Sequence, residues 1–88
     1  MKKLYIGVIR EYGERENVGI AIDNMATLKS FIEELAECNF TNASAGIIEV
    51  WDIERNEMDG VYLIYNWEGE KLCFPNQFYR NYEQMEEI

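Results

Sequence analysis

The sequence predicts an α+β fold: a mostly antiparallel sheet of about five strands, one main helix packed on a face of it, and a C-terminal helix. Three observations carry this expectation. Runs rich in β-branched and aromatic residues recur at 4–11, 18–22, 47–54, 61–67 and 71–74, separated by clusters of turn-forming residues. The connections between most of these runs are short, which favours antiparallel pairing, because a parallel crossover needs a dozen or more residues. The best helical stripe lies between the second and third runs, at 25–38. The expected order is β-β-α-β-β-β-α, in a single domain spanning 1–88.

In the first run Leu4, Ile6 and Val8 share one face and Tyr5, Gly7 and Ile9 the other. Both faces are largely apolar, as for a strand covered on two sides. Residues 12–17 read as a polar turn, and 18–22 alternate Val18, Ile20 and Ile22 against Gly19 and Ala21. Small residues on one face leave room for a helix or another backbone to approach. In 25–38, Leu28, Phe31, Ile32, Leu35 and Ala36 follow the spacing of one buried stripe. Asp23 and Asn24 offer N-cap oxygens, and Asn39 is a plausible stop. Residues 40–46 read as a loop of small residues. The runs 47–54 and 61–67 form a second hairpin around 55–60, and 71–74 a short last strand. Pro75 and Asn76 then open a helix over 77–87, with Phe78, Tyr82 and Met85 on one face.

The chain has 88 residues, 8 basic and 17 acidic, for a net charge of −9. Phosphate backbones and anionic membrane surfaces repel such a protein, so neither direct nucleic-acid binding nor membrane binding is expected. No apolar run is long enough to span a bilayer, and Arg10 and Glu11 interrupt the apolar opening too early for a signal peptide. A cytoplasmic location is the expectation. The charge is uneven: residues 1–44 carry a net −2 and residues 45–88 a net −7.

With no histidine in the chain, serine–histidine and cysteine–histidine catalysis are excluded. Cys38 and Cys73 read as reduced core thiols rather than a zinc pair, and there is no phosphate-cradling glycine motif. The segment Asp52–Gly60 fails as a calcium loop, because counting from Asp52 puts Glu57 at the glycine position and Leu63 at the glutamate position. Neither a cofactor nor a metal is expected, nor is catalysis. Asn39-Phe-Thr41 and Asn42-Ala-Ser44 match the glycosylation pattern by chance.

What remains is acid and aromatic surface. Trp51, Tyr62, Tyr65, Trp67, Phe74, Phe78, Tyr79 and Tyr82 crowd the second half of the chain. Tyr62 is out of phase with Tyr65 and Trp67, so aromatics are expected on both faces of that strand. Carboxylates two apart on a strand (Asp52 and Glu54, Glu68 and Glu70) lie about 6.6 Å apart. Those four apart on a helix (Glu33 and Glu37, Glu83 and Glu87) lie about 6 Å apart. Both separations are of the order of neighbouring phosphates.

The expected function is therefore a non-catalytic acidic binding protein. It would inhibit a nucleic-acid-handling partner by occupying that protein's basic nucleic-acid-binding surface, through Asp52, Glu54, Glu57, Asp59, Glu68 and Glu70, with Trp51 and Trp67 as anchors. Small anti-CRISPR and antirestriction inhibitors encoded by phages act in this style; the analogy is one of size and charge. The alternative is a homo-oligomeric regulatory or small-molecule-binding domain that uses the aromatic-rich second half.

Overall fold

A computed structural model describes residues 2–38 and 42–86. The fold is α+β, with strands β1 (Lys3–Glu11) and β2 (Glu14–Ile22), helix α1 (Ala26–Cys38), strands β3 (Ser44–Asp52), β4 (Glu57–Glu68), β5 (Lys71–Cys73) and β6 (Gln77–Tyr79), and helix α2 (Tyr82–Glu86). The sheet order is β2-β1-β3-β4-β5, with β6 also on β4, and every pairing is antiparallel. The two hairpins are joined by the β1–β3 ladder, which runs in unbroken register from Lys3–Asp52 to Glu11–Ser44.

Helix α1 begins where Asn24 Oδ1 accepts from the Ala26 amide at 2.9 Å. Asp23 caps nothing; it sits at φ 65 and its Oδ1 accepts from the Lys3 amide at 3.1 Å. Asn39, the expected stop, lies outside the described residues. On the face of the sheet that α1 covers, Leu28, Ile32 and Ala36 pack with Ile48, Ile64 and Tyr65. Glycines make this approach close. A Cβ on Gly46 would stand 2.3 Å from the Tyr65 ring and 2.6 Å from Ile32 Cγ2, whereas one on Gly19 would meet only Leu28 Cδ1, at 3.1 Å. The opposite face holds Val8, Ile47, Val61, Leu63, Tyr79 and Met85, with α2 lying over part of it.

Three local features differ from the sequence expectation. The first hairpin turns in two residues, Tyr12 and Gly13, both at positive φ (52 and 81), so β2 starts at Glu14. Such turns favour Asn-Gly or Asp-Gly, and a tyrosine in the first position hides the signal. Strand β4 carries a bulge: Gly46 pairs with Tyr65 but Ile47 with Leu63. The extra residue resets the alternation, so Tyr62, Ile64 and Tyr65 all serve the α1-side core. The out-of-phase aromatics thus lie on one face, not two. Finally, 77–87 is not one helix. Gln77–Tyr79 pairs with β4, Phe78 packs at a tilt against Tyr62 with ring centroids 4.9 Å apart, and α2 starts only where Asn81 Oδ1 accepts from the Gln84 amide at 2.8 Å. Phe78 therefore parts from Tyr82 and Met85, which pack on the other face.

Candidate functional site

The acids expected to form one surface fall at opposite ends of the 12-residue strand β4. A strand of that length spans roughly 37 Å, so Asp52, Glu54, Glu57 and Asp59 cannot act together with Glu68 and Glu70 on one small contact. The first group is largely used internally. Asp52 is buried, with its Oδ1 accepting from the Arg55 amide at 3.2 Å and Oδ2 3.8 Å from Lys3 Nζ. It ends β3, so Asp52 and Glu54 do not share a strand face. Asp59 is bonded to Lys3, whose ammonium is held above the usual lysine range chiefly by that hydrogen bond. Glu57 pairs with Arg55 at 3.0 Å, and Glu54 is exposed.

The expected anchors are half-buried. Trp51 turns its Nε1 inward to donate to Glu49 Oε1 at 3.0 Å, and the Trp67 Nε1 is buried with no partner among the described residues. Cys38 is exposed at the end of α1, rather than in the core, and Cys73 is half-buried.

The other end of the sheet collects carboxylates from three separate segments. The β1–β2 turn, the C-terminal end of α1 and the β4–β5 turn all lie there, and Asn42 Nδ2 donates to the Gly69 carbonyl at 3.0 Å, tying the last to the chain entering β3. On the α1 side of the hairpin, Glu11 stands directly across from Glu14, and Glu16 across from Ile9. These residues, with Tyr12 and Arg15, line a depression of about 450 Å³. Beside α1, Glu33, Glu34, Glu37 and Phe74 line a second one of about 240 Å³. Glu68 and Glu70 are exposed at the β4–β5 turn, Glu68 opposite Lys71.

The local basic residues neutralise this end only in part, with Lys71 opposite Glu68 at the β4–β5 turn. Arg10 and Arg15 project to the other face, where they reach Glu86 at 2.8 Å and the buried Glu49. Lys29 takes Glu33 at 3.3 Å. Among the described residues Glu11, Glu14, Glu16, Glu34, Glu37 and Glu70 form no ion pair. Directly opposed like charges destabilise a sheet, and carboxylates at a helix C-terminus oppose the helix dipole. No basic residue occupies the last turn of α1 to offset them.

Tyr12 sits in the β1–β2 turn, at the β2 edge of this acidic end. It is the most exposed large hydrophobic side chain among the described residues, at 77 %. Its positive φ costs a tyrosine of the order of 1 kcal/mol that asparagine or glycine would mostly avoid. Sequence reasoning passed over Tyr12, Glu11, Glu14 and Glu16, because their convergence depends on the two-residue turn. It also passed over Glu49, whose place in an alternating strand suggests solvent. Glu49 instead accepts from Arg15, the Tyr82 hydroxyl and Trp51 Nε1, and so ties α2 to the sheet. Burial, and then the bond to Glu49, holds the Tyr82 hydroxyl well above the usual tyrosine range, although Arg15 and Arg10 pull the other way.

Among the described residues no cluster of cysteine, aspartate and glutamate could hold a metal ion, and no helix is long and apolar enough to cross a membrane. The expected Glu83–Glu87 pair falls partly outside the described residues. No family model matches the chain, and neither a curated protein nor a solved structure matches it.

Proposed function

We propose that this is a non-catalytic acidic binding protein. It inhibits a nucleic-acid-handling partner by occupying that partner's basic surface with the end of the sheet built from the β1–β2 turn, the C-terminal half of α1 and the β4–β5 turn. The observation that carries this reading is a set of unpaired carboxylates kept in locally unfavourable positions. Glu11 opposes Glu14, and Glu34 and Glu37 crowd a helix C-terminus with no cation beside them. A basic partner would relieve both strains on binding and be drawn in from a distance by the net charge of −9. Tyr12 supplies an exposed aromatic contact beside Glu11 and Glu14. Glu68 and Glu70 stay in this assignment. Asp52, Glu54, Glu57 and Asp59, at the far end of the sheet, do not belong to it.

The test is affinity capture with the wild-type chain and with an E11K/E14K/E34K/E37K variant whose fold is checked by circular dichroism. The expected result is a nucleic-acid-binding protein held by the wild type, released by added DNA or RNA, and not held by the variant. Capture that survives both the charge reversals and nucleic-acid competition rejects the reading. The complex should weaken steeply between low and physiological salt, where the screening length falls from about 30 Å to about 8 Å.

A further inference from the structure

We infer that the cavity beneath the chain linking β5 to β6, on the sheet face away from α1, receives the side chain of an arginine from a partner protein. The pairing of β4 creates this space. Cys73 pairs with Asn66 and Gln77 with Leu63, so Phe74, Pro75 and Asn76 stand against only Ile64 and Tyr65, and the chain arches off the β4 edge. The space left is about 220 Å³. Leu63, Tyr79 and Met85 are its buried floor, and Pro75, Gln77 and Glu68 stand exposed at its rim.

The β4 bulge aims Asn66 into the cavity. Ile64 and Tyr65 both go to the α1 side, so Asn66 and then Glu68 return to the side of Leu63. The Asn66 Oδ1 is buried and accepts from nothing among the described residues. Buried acceptors are normally paired, so an open one is a place for an incoming donor.

Charge and size choose the occupant. Among the described residues Glu68 is the one charged side chain lining the cavity, and it forms no ion pair. Lys71, across from it on β5, offsets part of its charge without a direct ion pair. An open acceptor beside such a carboxylate calls for a cation with N–H groups. An ammonium is a compact point charge, whereas a guanidinium carries its donors in a planar fork and can serve both acceptors at once. Asn66 and Glu68, two apart on the strand, stand about 6.6 Å apart. The volume of about 220 Å³ is below the roughly 300–1,000 Å³ of clefts that enclose a drug-sized ligand, and it suits one side chain. The methylene stem of an arginine would lie along Leu63, Met85 and the Pro75 ring while its head meets the polar groups. In the reading of this chain as the ligand of a basic protein, on which this inference rests, the arginine enters at the edge of the acidic end, to which Glu68 already belongs.

An arginine capped at both ends probes the cavity without the partner. Proton–nitrogen correlation NMR on the full chain, titrated with N-acetyl-arginine N-methylamide to about 20 mM, reads it directly. The amides of Leu63, Asn66, Gln77 and Met85 and the Asn66 side-chain amide should shift together, with a dissociation constant of about 2 mM. The citrulline analogue keeps the shape and loses the charge, and the lysine analogue keeps the charge and loses the fork. Each should bind at least about fivefold more weakly. Asn66→Leu removes the open acceptor and Glu68→Gln the charge. Each should keep the native spectrum away from the cavity and weaken binding at least about fivefold. The E34K/E37K variant, changed on the α1 side, should bind the probe within about twofold of the wild type in physiological salt, even where it no longer holds a partner. Probe binding with no basic protein captured would fail the partner reading and leave a guanidinium site. The site itself is overturned by an absence of shifts at these amides, by equal binding of either analogue, or by unchanged binding in both Asn66→Leu and Glu68→Gln.

Discussion

Replacing Gly46 with alanine tests how α1 is seated. The new Cβ would stand 2.3 and 2.4 Å from two atoms of the Tyr65 ring and 2.6 Å from Ile32 Cγ2. Both side chains are fully buried, so neither can swing aside. Overpacking of this kind costs about 1–3 kcal/mol. Against it stands the reduced freedom of the unfolded chain, about 0.4–1 kcal/mol in alanine's favour. The net expectation is a loss of about 1.3 kcal/mol. In a domain of this size each kcal/mol moves the melting temperature by about 5 °C, so Gly46→Ala should melt about 6 °C below the wild type. Gly19→Ala is the internal control. Its Cβ meets one atom, at 3.1 Å, at the flexible end of Leu28, on the edge strand. It should fall within about 0.5 kcal/mol of the wild type. Calorimetry with parallel urea titration reads both. A Gly46→Ala melting point no lower than that of Gly19→Ala would refute the close seating of the helix on this glycine.

Three further outcomes follow from the same structure. Glu34→Lys and Glu37→Lys should each raise stability by about 0.3–1 kcal/mol in thermal melts, by favouring the helix dipole, while removing partner capture; loss of stability would contradict the dipole argument. Tyr12→Asn should stabilise the chain by about 0.5–1 kcal/mol through relief of the turn, again with weaker capture, as urea midpoints would show. Tyr82→Phe should cost about 1.5–2 kcal/mol, because the buried Glu49 loses a donor. The raised Tyr82 pKa means that its contribution is complete below the ordinary tyrosine value of 10.0 and is lost as pH climbs above it. The wild type should therefore lose stability above pH 10 more steeply than Tyr82→Phe, and equal slopes would show that the hydroxyl is not protected.

The fold was largely legible in the sequence, and the site was not, for identifiable reasons. Alternation and the 25–38 stripe report which side chains seek the core, and this was enough for the strand order along the chain and for α1. The bulge at Ile64 was invisible because an inserted residue leaves no compositional trace, only a phase change that reads as two-sided aromatics. The short strand at Gln77–Tyr79 was hidden by Phe78, Tyr82 and Met85, which fit a helical spacing yet serve opposite faces. The half-chain charge count pointed to the C-terminal half. The acidic end instead takes Glu11, Glu14 and Glu16 from the N-terminal half, and Asp52 and Asp59 are spent on Lys3. Spacing along the chain measures distance only within one element, and this surface spans three.

The β1–β3 ladder has a consequence for how quickly the chain reaches its native state. Each hairpin can zip locally within microseconds. The two hairpins pair through partners that lie 33 residues apart at Glu11–Ser44 and 49 apart at Lys3–Asp52. Closing that loop requires the intervening β2 and α1 to be arranged together, so the search for this one ladder should govern the refolding rate. Truncations such as Ile48→Val, on the central strand beneath α1, should slow refolding, whereas changes in β5 or α2 should mainly speed unfolding.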